Sequence, residues 1–446
     1  MKRYNSYKDS GIEWIGEIPE HWEVKPLKYN FDIIPSNIDK KSIEGETEVL
    51  LCNYVDVYKN DKITSNINFM RATASANQID RLQLQKFDVI ATKDSEDPND
   101  IGVPAIVTED LNGVVCGYHL TVFRSNSESN IGRYLFWFLK SNLCSQYFST
   151  AARGITRYAL GSSVFSDLPF LIVSKTEIEA IANYLDRKTT QIDDLIAKKE
   201  QFIRLLEEER VAVTNQAVTK GLDPTVAMKD SGVEWLGEIP EHWEVGKFNL
   251  LVNIRHGHQF MNYDFTENGI KIIKITQLHK NGFLDISNCS YISSNRLDEF
   301  SSIIIKENDI LMCLTGGTIG KIIRVGKVSE PLLQNYRVGH FSSNDSKKII
   351  DDYIFGVMSS DYLISQIFFQ MRETGQPNIG MGDFSRMKIS FPSITEQIEI
   401  VNHIKNKTTE IDTLTLKTQQ EIDLLKEYKT ALISEVVTGK VDVRGE

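Results

Sequence analysis

An eighteen-residue stretch occurs twice in this chain, as Tyr7–Val24 (YKDSGIEWIGEIPEHWEV) and as Met228–Val245 (MKDSGVEWLGEIPEHWEV). Only three of its positions differ, by Tyr/Met, Ile/Val and Ile/Leu exchanges. A match of that length does not arise by chance. The chain therefore restarts 221 residues after its first entry motif, and any fold must accommodate one unit twice.

The ends of the two units repeat as well. Ser174-Lys-Thr-Glu177 and Ser393-Ile-Thr-Glu396 have the spacing of a capping box, in which the serine accepts from an orphan helix N–H and the glutamate reaches back. A near-heptad apolar stripe follows each: Ile178, Ile181, Leu185, Ile192, Leu195, Phe202, Leu206 and Val213, then Ile400, Ile404, Ile411, Leu414, Leu425, Leu432 and Val436. Each predicts a long amphipathic helix, the first ending near Val218 and the second near Val437. A single stripe on so long a helix needs a partner, and each helix offers one to the other.

Between entry motif and helix the copies diverge. In the first, Glu48–Val57, Asp88–Thr92, Gly102–Val107, Val114–Arg124 and Leu168–Val173 read as strands, and Tyr134–Phe148 as a helix. Faint echoes remain: Phe87–Ile90 against Asn308–Leu311, Tyr118 against Tyr336, and Tyr134-Leu-Phe against Tyr353-Ile-Phe. The fold class expected is α+β, with two pseudo-repeated mixed domains and two long antiparallel coiled-coil helices. The boundaries expected are 1–173, 174–221, 222–392 and 393–446. Constant flanks around divergent interiors suit a protein that reads two different things with one scaffold.

The net charge of −11 argues at first against a nucleic-acid partner. The acidity, however, lies in the entry motifs and the helices. The interiors hold 16 basic against 17 acidic residues over 25–176, and 16 against 14 over 246–395. Near-neutral readers rely on specific contacts more than on bulk phosphate attraction. No apolar run approaches the ~18 residues that span a bilayer. The N-terminus has no secretory pattern, and the five scattered cysteines form no CxxC pair, so a reducing cytoplasm is the expected compartment.

SGIEWIGEIPEHWEV, the capping box leading into EIEAIANYLDRKTTQIDDLI, and the repetition of both resemble the specificity subunits of type I restriction–modification systems. The resemblance spans essentially the whole chain. It departs from the pattern in the second helix, where NHIKNKT stands for NYLDRKT, which reads as tolerated drift. It implies two target recognition domains, each reading half of a split sequence in double-stranded DNA, with the helices as spacer. It implies no catalysis and no cofactor on this chain. Two methyltransferase subunits using S-adenosylmethionine and two restriction subunits using ATP and Mg are the implied partners, with no membrane. Two readers on a rigid spacer should meet half-sites about one helical turn apart. The alternatives are a free-standing regulatory DNA-binding protein with two readers, or an enzyme with an unrecognised site.

Apparent chemical motifs fall away on inspection. Thr315–Ile322 lacks the first glycine and the Ser/Thr of a phosphate loop, and reads as a turn between strands. His256-Gly-His258 lacks further ligands at metal spacing. Glu20-His21-Trp22-Glu23 recurs at Glu241–Glu244, which suits structure or docking better than acid–base work. Candidate DNA contacts are polar loop residues that differ between copies, because Arg pairs guanine and Gln or Asn pairs adenine. The first set is Arg153, Thr156, Arg157 and Tyr158 with its counterpart Arg372, Gln376 and Asn378. The second is Ser36, Asn37, Lys40 and Lys41 with Arg255, His256, His258 and Gln259. The third is Lys93-Asp94-Ser95 with Thr315–Thr318. Trp14, Trp22, Trp235 and Trp243 either anchor the entry motifs or dock a partner.

Overall fold

A computed structural model of the chain describes residues 2–126, 130–279, 283–374 (backbone alone at 372–374) and 378–445. The chain forms two compact units, residues 1–200 with 419–446, and residues 201–418. Both are mixed α+β.

Each unit closes its frame in the same way. In unit 1, Tyr7–Asp9 pairs antiparallel with Glu17–Pro19, and Glu23–Pro26 pairs with Pro169–Ile172. In unit 2, Met228–Asp230 pairs with Glu238–Pro240, and Glu244–Lys247 with Lys388–Phe391. The chain start is thus stitched to the strand just before the long helix. The histidine and tryptophan of each entry motif then reach that helix's first turn. His21 Nε2 lies 2.9 Å and Trp22 Nε1 3.2 Å from Glu177 Oε1. His242 Nε2 lies 2.8 Å from Glu396 Oε2, and Trp243 Nε1 2.9 Å from its Oε1. Trp22 and Trp243 are completely buried. Glu177 therefore serves its entry motif as well as its helix, where Oε2 accepts from Ser174, whereas Glu396 gives both oxygens to its entry motif.

The C-terminal end of the other long helix completes each frame. Tyr134 donates to the Val437 carbonyl at 2.9 Å in unit 1, and Tyr353 to the Val218 carbonyl at 3.5 Å in unit 2. Gly439 and Gly221, both in the left-handed region, follow those helix ends. A Cβ on Gly439 would lie 2.5 Å from Pro19 and 2.8 Å from Trp22, whereas on Gly221 the nearest atoms are 3.4 Å away. Gly439→Ala should cost about 2–4 kcal/mol, from left-handed strain plus overpacking, and Gly221→Ala only about 1 kcal/mol. Thermal melting of the two variants checks the order, and equal losses would contradict it.

The long helices run Lys175–Lys220 and Ile394–Val437. Their segments pair antiparallel within each unit, through Asp193–Lys429 at 2.7 Å and Lys199–Glu421 in unit 1, and Arg210–Asp412 at 3.2 Å in unit 2. The seam alternates by three and four once half-buried Lys199, Ile203, Thr415, Leu425 and Lys429 are counted with its buried positions. Ile192, Ile196 and Leu206 are buried, as are Ile411, Thr418, Ile422 and Leu432. Leu195, Phe202 and Leu414, expected in the stripe, are exposed instead. Each lies off the seam, and the coiled-coil repeat selects Ile196 over its neighbour Leu195.

The interiors share strand order despite their divergence. The main sheet of unit 1 runs 31–35, 120–125, 89–92, 104–107, then 62–63, and that of unit 2 runs 252–256, 338–343, 310–313, then 322–324. Phe123 faces Val89 and Phe341 faces Ile310 in the same register. Phe87 and Asn308, just before the equivalent strands, both have φ of 71°. Several sequence expectations need correction. Glu48–Val57 is strand only to Cys52, because Asn53 and Asp56 cap a helix over Tyr54–Lys59. Val114–Arg124 is two strands of different sheets, broken at Gly117, where a Cβ would meet the Cys52 carbonyl at 2.9 Å. Tyr134–Phe148 spans two helices, because extended Ser141 ends one and caps the next.

The departure at Asn402–Thr408 includes a change of charge. Asp186 accepts from Arg133 at 2.5 Å and from Trp137 at 2.8 Å in unit 1. Counting from the paired threonines and tyrosines, Lys405 stands where Asp186 does, and Asp352 where Arg133 does. Both charges are reversed, and Asp352 pairs with Arg324 at 2.6 Å.

Candidate nucleic-acid interface

The loops at one end of each main sheet bring most of the candidate residues together. In unit 1, the strand 31–35 runs into Ser36–Lys41, the strand 89–92 into Lys93–Ser95, and Tyr118-His119 leads into 120–125. Ser36 N–H donates to the Leu120 carbonyl, Lys93 N–H to that of His119, and Leu160 N–H to that of Lys93. A hairpin of Arg153–Gly154 and Tyr158–Ala159 joins the cluster through Tyr158↔Ser95 and Ala159↔Asp94. Gly154, at φ 149°, permits the turn, since a Cβ there would lie 2.0 Å from the Arg157 carbonyl. Arg153, Thr156, Asn37, Lys40 and Lys41 are exposed, and Tyr158 is half-buried.

Two unit 1 candidates have other work. Ser36 is buried, and its hydroxyl donates to the Cys116 carbonyl at 2.5 Å, so it shapes the loop rather than facing solvent. Lys93 donates to the Ser36 carbonyl at 2.9 Å and covers the Tyr118 ring at 4.7 Å. Its burial holds the amine below the ordinary lysine range.

In unit 2 the equivalent end gathers His256–Gln259, Thr315–Thr318, Tyr336-Arg337 and Asn378. Thr315 bridges Asn378, and His258 bridges Asn335. Ile379 N–H donates to the Leu314 carbonyl, as Leu160 does to Lys93, so Thr315 takes the place of Asp94 and Asn378 that of Ala159. Gln376 lies outside the described residues, as does the Arg372 side chain. Arg255 is turned inward: its guanidinium donates to Gln334 Oε1 at 3.3 Å, and burial lowers its pKa. His256 Nδ1 lies 3.4 Å from the Tyr336 carbonyl. His258 packs on Phe260 and Phe300 at 4.9 and 5.0 Å, beside a cavity of about 330 Å³ lined also by Arg296 and Glu299. Gln259 is exposed, and Thr318 is half-buried in the turn between strands 310–313 and 322–324.

Sequence reasoning missed His119 and Arg337, and took Asp94 only as part of the Lys93–Ser95 segment, with no role of its own. Asp94 accepts from His119 Nδ1 at 2.7 Å and from Arg157 Nη2 at 2.6 Å. Arg337 covers the Tyr336 ring at 5.3 Å and donates to its hydroxyl at 2.7 Å. The Tyr118/Tyr336 echo was the available signal, because the following residue differs between copies. Trp14 and Trp235 sit half-exposed, against Tyr147 and Phe369 at 5.4 Å each, unlike the buried Trp22 and Trp243. Among the described residues no group of three or more His, Cys, Asp or Glu is placed to hold a metal, and no helix is long and apolar enough to cross a membrane.

Comparison with known proteins follows the same lines. A family model for the type I restriction modification DNA specificity domain matches residues 240–424. The type I restriction enzyme MjaVIII specificity subunit of Methanocaldococcus jannaschii is 27% identical over 316 residues, 70% of each chain. A solved chain from work on complex assembly and conformational transition of the type I R-M system superposes with a TM-score of 0.72 at 13% identity, covering 95% of this chain and 99% of that one. The HsdS subunit from Thermoanaerobacter tengcongensis gives 0.56 at 14%, covering 95% and 98%. At those identities the likeness to solved structures is one of fold. The repeat, the sequence match and the fold all lead to one place: the chain is similar to the specificity subunits of type I restriction–modification systems.

Proposed function

We propose that this chain reads a bipartite, asymmetric DNA target, one half per interior, and carries no catalysis itself. The observation behind this reading is the contrast inside the chain. His-Trp to Glu pinning and the Tyr to helix-end bond hold both frames alike. The loops at the open end of each sheet differ in nearly every side chain.

The frame and helices serve as the scaffold for two methyltransferase subunits and two restriction subunits. The methyl donor, ATP and Mg belong on those partners. Half-exposed Trp14 and Trp235, and outward Leu205, Leu416 and Leu424 on the helices, are apolar surface suited to docking. The working domain boundaries are those at 173/174, 221/222 and 392/393.

The test is a methylome. The partner methyltransferase, expressed with this chain in a host lacking adenine methylation, should give one split, asymmetric adenine-methylated motif and should co-purify with the chain. Methyltransferase alone should give none. A methylome unchanged by adding the chain, with the partner present, would overturn the reading.

A further inference from the structure

The best-built polar cluster at the unit 1 sheet end is Asp94 with Arg157 and His119. Asp94 Oδ1 accepts from Arg157 Nε at 3.2 Å and Nη2 at 2.6 Å, and its Oδ2 from His119 Nδ1 at 2.7 Å. The side chain of Asp94 is 11% exposed and that of Arg157 57%. The carboxylate thus sits behind the guanidinium and fixes its inner edge. Nη1 has no hydrogen-bond partner among the described residues, while Nη2 also lies 3.2 and 3.4 Å from the His119 ring nitrogens, so the two-donor edge offered to a ligand is Nη1 with an Nη2 that His119 shares. Ile155, at the tip of the same hairpin, is 91% exposed.

We propose that Arg157 reads a guanine in the half-target of the first interior, with Asp94 as its positioning residue. This deepens the reading under Proposed function and rests on it. Three physical points lead there. Two parallel donors match guanine O6 and N7, and a two-stranded hairpin is the width a major groove admits. An arginine already paired with a carboxylate carries little net charge, so it is poorly suited to phosphate attraction and well suited to base discrimination. The carboxylate is also specific to one copy: Thr315 takes the place of Asp94 in unit 2. A purely structural pair would more naturally belong to the shared frame, as Glu177 and Glu396 do.

The experiment uses the complex with its methyltransferase and three readouts. The wild-type methylome first defines the motif, and exchange of 246–395 marks which half the first interior reads. That half should contain a guanine whose replacement by 7-deazaguanine, which removes N7, weakens binding of a duplex oligonucleotide on the order of 10-fold. Arg157→Ala should relax base preference at that one position, by about 5- to 100-fold in relative methylation, and leave the other half unchanged. Asp94→Asn should relax the same position in part. Arg157→Lys keeps the charge but not the two-donor edge, and should not restore discrimination.

A half-target without guanine, or a 7-deazaguanine duplex bound as tightly as the natural one at every guanine of that half, overturns the proposal without needing a folded variant. Uniform loss of methylation in Arg157→Ala with base preference intact overturns it too, in favour of a structural or phosphate role. A split motif in those cases leaves the DNA-reading function standing. Absence of any split motif from the wild type takes both down.

Discussion

Glu177→Ala should be among the most damaging single substitutions in the frame of unit 1, lowering its stability by about 2–4 kcal/mol. About 1 kcal/mol comes from the lost half of the capping box, where Ser174 N–H and Oγ meet Glu177 Oε2 at 3.4 and 2.7 Å. The remaining 1–3 kcal/mol, roughly, comes from the Trp22 indole N–H, which is left buried without an acceptor. Glu396→Ala should cost less, because Glu396 is 24% exposed against 3% for Glu177, so water can partly replace it. Glu177→Gln keeps an acceptor for the indole and should recover much of the loss. Burial pushes the Glu177 carboxyl up, but the bonds from Ser174, His21 and Trp22 outweigh it and hold its pKa below the ordinary glutamate value. A depressed carboxylate contributes stability above its unfolded pKa and loses it as pH falls through the folded one. The gap in melting temperature between wild type and Glu177→Ala should therefore be widest near neutral pH and narrow below the ordinary glutamate range. A gap that stayed constant into acid would show that the charge on Glu177 contributes nothing.

The frame was legible in the sequence because it is written twice with nearly the same letters. The repeat located Trp22 and Glu177, but only the structure joined them. Residues 155 positions apart carry no mutual signal in one sequence. Heptad spacing predicted the helices, yet a stripe judged by eye admits Leu195 as readily as Ile196. Packing against a second helix is what chooses between them. Strand boundaries failed where a side chain caps a helix inside an apolar run, as Asn53 does. The candidate interface was half legible. The fold gathers most of the polar loops that differ between copies at one sheet end, but exposure cannot be read from residue type. Ser36 and Arg255 are chemically suited to DNA and are spent inside the fold. Asp94 fell inside a candidate segment, Lys93–Ser95, but its role could not be read there, because it lies in what the carboxylate holds.

Replacing residues 246–395 with this chain's own residues 25–176 should give a methylated motif whose two halves carry the same bases. The junctions suit the exchange. Both segments begin next to Glu-Val and end at the residue before the capping glutamate. The strand pair that closes unit 1, Glu23–Pro26 with Pro169–Ile172, has its counterpart in Glu244–Lys247 with Lys388–Phe391. The incoming copy of Tyr134 would meet the Val218 carbonyl that Tyr353 now holds, and Glu396 would still accept from His242 and Trp243. One mismatch is foreseeable. The incoming Arg133 and Trp137 need the carboxylate of Asp186, and Lys405 stands at that position. A buried-edge donor pair facing an amine costs about 1–3 kcal/mol, so the plain exchange should be poorly stable and Lys405→Asp should rescue it. Methylome sequencing of the rescued chimera with its methyltransferase reads the outcome directly. Identical half-sites place sequence reading in the interiors and leave the frame as carrier. A motif unchanged in both halves would show instead that bases are read by parts the exchange did not touch, and the division of labour between frame and interior would fail with it.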